Sequence, residues 1–417
     1  MTATSRAPLT APTVDQVDGR IRRLTLPEYT RRAYPPLPRA AAHALAATGA
    51  VTVAADLDGR SVLASTSYVG TVRAGDVELR VTPKTGIRRL LWLIGHAQDP
   101  SGWRPDDLVD LTDTDDITTA VAVSFLAAAD RALARGVLQG YRTIDEALPL
   151  LRGRLREADQ LRHRLALPVP LEVRYDDYTI DTPENRLLLA ATLRLLRLPG
   201  LPTATRVGLR RLRTLLADVT ATVPGEQLPP DRDDRLVRPY LPALRLARLV
   251  LAGRSIDQPP GPATASGFLF DLNHVFEDWL TVALRRALHP YGGHLSAQHR
   301  THLDSARSVP IRPDLVWHLN GQPAAVLDAK YKSAGTGRSP REDLYQMLAY
   351  CTALDLAAGH LVYAAGPHTP RRHIVRNTAI ELRIWALDLA KPIPDLLAEV
   401  DDLATAVSAA ARRQAGW

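Results

Sequence analysis

The stretch RPDLVWHLNGQPAAVLDAKYKS, residues 312–333, decides the fold of the C-terminal part of the chain. Two apolar runs flank the polar segment Leu319–Pro323, a pattern typical of a β-hairpin with a five-residue turn. Asp314 begins the first run, and Asp328 and Lys330 lie near the end of the second. Pairing of the two strands would bring Asp314 next to Asp328, and residues two apart on a strand share a face. The hairpin therefore predicts two carboxylates and an ammonium at one place.

Two carboxylates beside a lysine are the groups that metal-dependent hydrolysis of a phosphodiester needs. Mg²⁺ prefers carboxylate and water oxygens, and the charge that develops in the transition state needs a nearby cation. We predict that Asp314 and Asp328 bind Mg²⁺, with Mn²⁺ as the alternative ion. The backbone carbonyl of Ala329 is a further candidate ligand, and Lys330 is the candidate for stabilising the developing charge.

Two helices flanking the hairpin supply further candidates. Glu277 lies on the preceding predicted helix, from which a carboxylate can approach the same site as a catalytic group and metal ligand. Gln346 and Tyr350, four residues apart on the following helix, share one helical face. That face is positioned to contact the substrate backbone or to brace the metal site.

Each candidate also has a purely structural explanation. Asp314 follows Pro313 and fits a turn acid, while Asp328 and Lys330 fit a surface ion pair. Glu277 alone resembles a solvated helix acid. The order and spacing of the whole set favour a functional site over these separate explanations.

The rest of the chain indicates an α/β and α+β multidomain protein of 417 residues. We predict a mixed β/α region over residues 1–110, a mainly helical region over 111–256 and an α/β domain over 257–417. The Pro-rich segment DQPPGPATASG, residues 257–267, marks the second boundary. Predicted elements are helices over 40–49, 88–97, 117–136, 268–288 and 341–356, a β-meander over 50–84, and strands around 297–302, 312–318, 324–331, 360–366 and 379–389.

Composition limits the classes of function. The net charge of +7 and pI near 9.7 permit a polyanionic partner. One cysteine, Cys351, excludes an internal disulfide framework. No apolar run approaches 18 residues and the first residues form no signal peptide, so we expect a cytoplasmic protein without a membrane contact. No phosphate-binding loop occurs, so this chain is expected to bind no nucleotide itself.

The quoted motifs resemble a known nuclease family. PD…DAK on paired strands resembles the PD-(D/E)xK nuclease superfamily, and Q-x-x-x-Y at Gln346–Tyr350 resembles its RecB-type branch. Longer stretches resemble the McrC family, the nuclease subunits of McrBC-type restriction systems. These stretches are GYRTIDEALPLLRGRLREADQ (140–160), YDDYTIDTPENRLLLAA (175–191), GFLFDLNHVFEDWL (267–280), RPDLVW…AAVLDAKYKS (312–333) and DLYQMLAYC (343–351).

The resemblance implies a fold, an activity and a partner. The C-terminal domain would be a restriction-endonuclease-like PD-(D/E)xK domain, acting as a Mg²⁺-dependent endodeoxyribonuclease in defence against phage. The N-terminal region would dock on a McrB-like AAA+ GTPase hexamer that recognises double-stranded DNA carrying 5-methylcytosine-type modifications. In the family pattern the nuclease motif falls on Asp314, Asp328 and Lys330. The helix acid falls on Glu277, and the later helix pair on Gln346 and Tyr350.

Two other functions stay open at the level of sequence. One is a self-sufficient RecB-like repair nuclease, although the long N-terminal region has no helicase motif and no iron–sulfur cysteines. The other is a non-catalytic adaptor that activates an AAA+ motor, although Asp314, Asp328 and Lys330 are all intact.

Overall fold

The computed structural model describes residues 17–18, 21–98, 116–164, 169–221, 235–257, 265–333, 340–365 and 371–414. Its helices are α1 Arg39–Ala47, α2 Ile87–Gln98, α3 Ile117–Leu133, α4 Glu157–Arg164, α5 Pro183–Leu196, α6 Thr203–Leu215, α7 Leu241–Ala252, α8 Leu272–Leu288, α9 Pro340–Ala353 and α10 Ile393–Gln414. Its strands are β1 Val17–Asp18, β2 Ile21–Pro27, β3 Arg31–Tyr34, β4 Val51–Ala55, β5 Ser61–Ser65, β6 Tyr68–Ala74, β7 Val77–Thr82, β8 Gly140–Leu148, β9 Arg154–Leu155, β10 Leu171–Thr179, β11 Arg254–Asp257, β12 Ala265–Asp271, β13 His294–Ala297, β14 Thr301–His302, β15 Pro310–Ile311, β16 Leu315–Leu319, β17 Gln322–Ser333, β18 Ala358–Ala365, β19 Arg371–Ile374 and β20 Glu381–Ala386.

The chain divides into two compact units. One comprises Met1–Val109, Asp113–Ile117 and Arg254–Trp417, and the other comprises Asp110–Thr112 and Thr118–Gly253. Both units mix helices and strands, which confirms the predicted α/β character. No helix in the described part of the chain has both the length and the apolarity to cross a membrane.

Apolar residues alternate along the first hundred residues and produce strands in two sheets. The larger sheet has the order β1-β2-β7-β6-β12-β11, and the smaller has the order β3-β5-β4. The predicted strands between residues 50 and 84 are present, but the prediction of a single meander was wrong. The β4–β5 hairpin and the β6–β7 hairpin belong to different sheets, because β6 pairs with β12 from much later in the chain.

The predicted helix over residues 268–288 was wrong at its start. Residues 268–271 are the end of strand β12, which pairs with β6 in the register Phe268↔Thr71. The helix α8 begins at Leu272, because the Asp271 carboxylate caps it by accepting from the Asn273 backbone N–H at 3.0 Å. Apolar spacing cannot separate a buried strand from a helical turn when the two follow directly.

A second six-stranded sheet occupies the C-terminal part of the same unit. Its order is β13-β16-β17-β18-β20-β19, with β17, β18 and β20 parallel. Helix α9 forms the connection between the parallel strands β17 and β18, as a crossover requires. Its apolar face packs on the sheet around Met347, Cys351, Val326 and Leu361. The long helix α10, which sequence reasoning left unassigned, also packs against this sheet and α8.

The predicted turn of the central hairpin is shorter in the structure. Leu319 pairs with Gln322, so only Asn320 and Gly321 remain unpaired at the tip. Both have left-handed backbone angles, with φ of 51° and 78°, which is the conformation of a two-residue hairpin turn. The Asn-Gly dipeptide is the sequence signal of this turn.

The second unit is built mainly from helices. Helices α3, α5, α6 and α7 accompany one small sheet of order β8-β10-β9. The Thr182 hydroxyl caps α5 by accepting from the Asn185 N–H, with Pro183 at the first helical position. Beside it, Arg186 and Thr220 hydrogen bond the Asp181 carboxylate and hold its pKa well below the ordinary range, chiefly through Arg186. The Thr182 cap and the Asp181 contacts together fix the start of α5.

The division into regions 1–110, 111–256 and 257–417 stays a prediction. The boundary near residue 110 and residues 258–264 of the predicted linker lie outside the described residues. The strands on either side of that linker, β11 and β12, pair with each other and lie in the N-terminal sheet.

Candidate nuclease site

The hairpin of β16 and β17 brings the two motif aspartates into contact. Leu315 pairs with Leu327, so Asp314 and Asp328 are the next positions in register. The backbone N–H of Ala329 donates to Asp314 Oδ2 at 2.9 Å. This register and this hydrogen bond set Asp314 beside the Asp328–Ala329 peptide, as the sequence predicts.

Lys330 lies on the same strand face as Asp328. Its Nζ is 2.5 Å from Asp328 Oδ2. This oxygen is buried and has no partner in hydrogen-bond geometry beyond the ion pair. Asp328 is 1% exposed, so its carboxyl and the ammonium meet in an environment that strengthens electrostatic interactions.

Helix α9 extends this contact through a chain of hydrogen bonds. Lys330 Nζ donates to Gln346 Oε1 at 3.2 Å, and Gln346 Nε2 donates to the Tyr350 hydroxyl at 2.7 Å. The Tyr350 hydroxyl donates in turn to the Arg312 carbonyl at 3.3 Å. Gln346 and Tyr350 therefore share one helical face, as predicted. Through Gln346 this face contacts Lys330, the ion-pair partner of Asp328.

Helix α8 places Glu277 at the same site through a residue that sequence reasoning missed. Gln298 Nε2 contacts Glu277 Oε1 and lies 3.4 Å from Asp314 Oδ1. Gln298 directly follows strand β13 and has a left-handed backbone, with φ of 51°. No local pattern marks this residue, because its position depends on the pairing of β13 with β16.

A second missed residue is the buried acid Asp343. It lies three residues before Gln346 on α9, and Tyr363 donates to its Oδ2 at 2.5 Å. Tyr363 pairs with Lys330 across β17 and β18, and the charge of Asp343 acts on the lysine. The spacing of Asp343 and Gln346 on one helix face was the available signal.

The electrostatics of the site follow from burial and crowding of like charge. Burial raises the pKa of Asp314, and the charge of Glu277 raises it further. Burial also raises the pKa of Asp328, with Asp314 as the second cause. Burial opposes the charge of Lys330, but Asp328 and Asp314 outweigh it and raise the lysine pKa. The site concentrates negative charge that a cation would stabilise.

The donor set fits a divalent cation in chemistry. Asp314 and Asp328 offer hard carboxylate oxygens close together, and the ion pair with Lys330 is the contact of Asp328 Oδ2. Across the described residues, no three His, Cys, Asp or Glu side chains form a ready metal cluster. Asp314, Asp328 and Glu277 stay predicted ligands. The Ala329 carbonyl stays a predicted ligand.

Comparisons with known proteins support one family. The model of the McrBC 5-methylcytosine restriction system component matches residues 63–364. No curated protein matches.

Two solved structures are similar to the chain. One comes from the Thermococcus gammatolerans assembly of McrB AAA+ hexamers with bound McrC. It matches with a TM-score of 0.58 and 16% identity, over 92% of this chain and 100% of that chain. The other comes from the Thermococcus gammatolerans McrBC complex, with a TM-score of 0.43 and 18% identity, over 64% of this chain and 88% of that chain. The first shows a shared fold. Because the family model matches more than half of its length, the chain belongs to the family of McrBC 5-methylcytosine restriction system components.

Proposed function

We propose that this chain is the Mg²⁺-dependent DNA endonuclease subunit of a McrBC-type restriction system. The observation that carries the proposal is the position of Asp314 next to Asp328, held by the hydrogen bond from the Ala329 N–H, together with the Lys330 ammonium 2.5 Å from Asp328. Membership of the McrBC family supports the same conclusion.

The topology around the site supports a PD-(D/E)xK nuclease domain. Helix α8 precedes the hairpin of β16 and β17, and helix α9 then leads to the parallel strand β18. In the proposal, helix α8 supplies Glu277, the residue before β16 is Asp314, and strand β17 supplies Asp328 to one site. The order α8, β16, β17, α9, β18 therefore supports the assignment of these three acids to one nuclease motif.

The chemistry proposed is hydrolysis of a phosphodiester in duplex DNA. Water attacks phosphorus, the bond to one ester oxygen breaks, and the products are a 5′- or 3′-phosphate and a hydroxyl end. A bound divalent ion supplies Lewis-acid stabilisation and a more acidic water. Asp314 and Asp328 hold the charge that binds such an ion, and Lys330 stands beside the position where negative charge develops. Gln346 fixes the direction of the lysine ammonium.

The proposed partner is a McrB-like AAA+ GTPase hexamer. The Thermococcus gammatolerans assembly contains McrB AAA+ hexamers with bound McrC. This chain has the same fold as the matched chain of that assembly. In the proposal, the partner hydrolyses GTP and recognises DNA carrying 5-methylcytosine-type modifications, while this chain stimulates the partner and cuts. The complex would act in the cytoplasm.

The first prediction concerns Asp328→Asn in a complex reconstituted with an AAA+ GTPase partner, Mg²⁺, GTP and methylated duplex DNA. The variant is expected to lose cleavage by at least about 10²-fold, since one member of the cation-binding pair loses its charge. GTP hydrolysis by the partner is expected to stay stimulated. Both are measured in the same reaction, by gel and by phosphate release.

The matched control is Asp355→Asn, an exposed aspartate with a left-handed backbone that asparagine adopts readily. It is expected to cut like the wild type. Undiminished cleavage by Asp328→Asn contradicts the proposed site. Cleavage by the wild type without any partner would favour the self-sufficient repair nuclease, and stimulation of GTP hydrolysis without cleavage by the wild type would favour the adaptor.

A further inference from the structure

A buried acid in the N-terminal part of the chain contacts the strand of the nuclease motif. Glu28 follows strand β2 and is 1% exposed. Its Oε1 accepts from the Lys84 backbone N–H at 2.8 Å and from the Tyr331 hydroxyl at 3.0 Å. Its Oε2 has no hydrogen-bond partner. A buried carboxyl is costly unless it is hydrogen bonded, so these two donors define where Glu28 sits.

Tyr331 is the residue directly after Lys330 on β17. Residues alternate faces along a strand, so Tyr331 lies on the face opposite to Asp328 and Lys330. Its side chain is buried, with 7% exposure. The hydroxyl therefore ties the back of the motif strand to Glu28, a residue 303 positions earlier in the chain.

The strand pairing of β17 is incomplete at the motif residues Asp328–Lys330, so a contact from another element can stabilise this segment. The ladder between β16 and β17 ends with Leu327 on β17. The ladder between β17 and β18 runs regularly to Lys330 and then shifts register before Ser333. Residues from Asp328 onward are thus paired on one side only, and the irregularity begins directly after the lysine.

An aromatic contact links the same tyrosine to the helix that carries Glu277. The rings of Phe276 and Tyr331 lie with centroids 6.2 Å apart. Phe276 stacks on Trp279 at 5.9 Å, and Trp279 meets Trp92 of α2 at 6.2 Å. Residues from the first hundred positions therefore support both α8 and β17 from behind the site.

We propose that Tyr331 and Glu28 are positioning residues of the nuclease site. The Tyr331–Glu28 hydrogen bond fixes the end of β17 and thereby holds Asp328, Ala329 and Lys330 in their places. This inference rests on the proposed function for its catalytic consequence, but its structural consequence is independent of it. It makes the N-terminal sheet a part of the site's framework.

The test compares Tyr331→Phe with the wild-type full chain by amide hydrogen exchange. The Ala329 N–H is the reporter, because it donates to Asp314 Oδ2. Tyr331→Phe keeps the ring and removes only the hydroxyl, so Ala329 and the peptide around it are expected to exchange at least about tenfold faster, as local opening becomes easier. The control Tyr291→Phe removes an exposed hydroxyl contact to Thr405 and is expected to leave this exchange unchanged.

Conservative change of Glu28 separates positioning from general loss of stability. Glu28→Gln keeps an acceptor for Tyr331 and is expected to retain wild-type exchange at Ala329. Glu28→Leu removes the acceptor of both Tyr331 and the Lys84 N–H, and Ala329 is expected to exchange at least as fast as in Tyr331→Phe. The double variant Glu28→Leu/Tyr331→Phe is expected to exchange no faster than Glu28→Leu alone, because Glu28→Leu has already lost the Tyr331–Glu28 hydrogen bond.

Cleavage in the reconstituted complex supplies the catalytic readout. Tyr331→Phe is expected to lower kcat by roughly 10–10²-fold with an unchanged KM for DNA, since misplacement of catalytic groups slows chemistry rather than binding. Unchanged exchange at Ala329 in Tyr331→Phe overturns the inference, whether or not DNA is cut. Faster exchange together with a wild-type chain that never cuts DNA supports the positioning contact and instead removes the proposed function.

Discussion

At the scale of single residues, Lys330 carries the most specific chemical role. It is one of four lysines beside a large excess of arginine, and it contacts both Asp328 and Gln346. A compact ammonium suits this half-buried place better than the planar guanidinium of arginine. These contacts therefore favour lysine specifically, and not any positively charged side chain.

We accordingly predict that Lys330→Arg fails to restore activity. The guanidinium cannot meet Asp328 and Gln346 from the position of a point charge, so cleavage is expected to fall on the order of 10²–10³-fold. Lys391→Arg, at a half-buried lysine that pairs with Glu399, serves as the control. Single-turnover cleavage rates decide, and a wild-type rate for Lys330→Arg would show that the lysine acts otherwise.

The aspartate pair predicts an unusual dependence of stability on pH. Burial and then Asp314 raise the pKa of Asp328 in the folded chain. The folded chain therefore holds a proton that the unfolded chain has already released, and the free energy of unfolding falls as pH rises from the ordinary aspartate pKa through the raised one.

Asp328→Asn removes this titration. Between about pH 4 and pH 8 without metal, the variant is expected to lose less stability than the wild type, by at least about 1 kcal/mol, the equivalent of one pKa unit. Urea unfolding at several pH values measures the difference, with Asp355→Asn as the control. Parallel pH profiles for wild type and Asp328→Asn would show that the carboxyl titrates normally.

Sequence reasoning placed most candidate side chains at one location but not all of them. The proximity of Asp314, Asp328 and Lys330 follows from a period of two and an Asn-Gly turn, which are local properties. Gln298 could not be found in this way, because its contact depends on the register of a third strand. Glu28 could not be found either, because the residue that it contacts lies 303 positions away.

At the scale of elements, the pairing of β6 with β12 decides how the chain is organised. Strand β12 holds residues that look helical by their apolar spacing, and β6 looks like part of a local meander. Long-range pairing overrides both patterns. Gly70 shows how close this pairing is, because a Cβ at this position would lie 2.1 Å from the Phe268 carbonyl oxygen.

We predict that Gly70→Ala strongly destabilises this sheet. Gly70 has a φ of +136° and no space for a side chain, so both backbone strain and overlap oppose alanine. Gly75→Ala is the control, since Gly75 has a φ of +60° but nothing within 4 Å of an added Cβ. The cost at Gly70 is expected to exceed that at Gly75 by roughly 1–3 kcal/mol, measured by chemical unfolding. Equal costs would show that β6 can move away from β12.

At the scale of the whole molecule, the unit that contains the candidate site is discontinuous in sequence. Residues 1–109, 113–117 and 254–417 form one compact unit, while residues 110–112 and 118–253 form another. Domain boundaries predicted from the sequence miss this grouping, because the Pro-rich segment at 257–267 has the composition of a linker between domains. The strands on both sides of this segment instead complete the N-terminal sheet.

This grouping changes what the N-terminal region is expected to do. The resemblance to McrC assigns partner docking to residues 1–110. The same region also contacts the strand and the helix that carry the candidate site, through Tyr331–Glu28 and Trp92–Trp279. Partner binding and site geometry would then depend on a common framework.

The most direct test of the account is calorimetric titration of Mn²⁺ into the metal-free full chain, without partner or DNA. The account predicts saturable binding by the wild type and by Asp355→Asn, and loss of that binding in Asp328→Asn, because the aspartate pair provides the charge that holds the ion. Binding of equal affinity and stoichiometry by Asp328→Asn would contradict the assignment of Asp314 and Asp328 as the metal site.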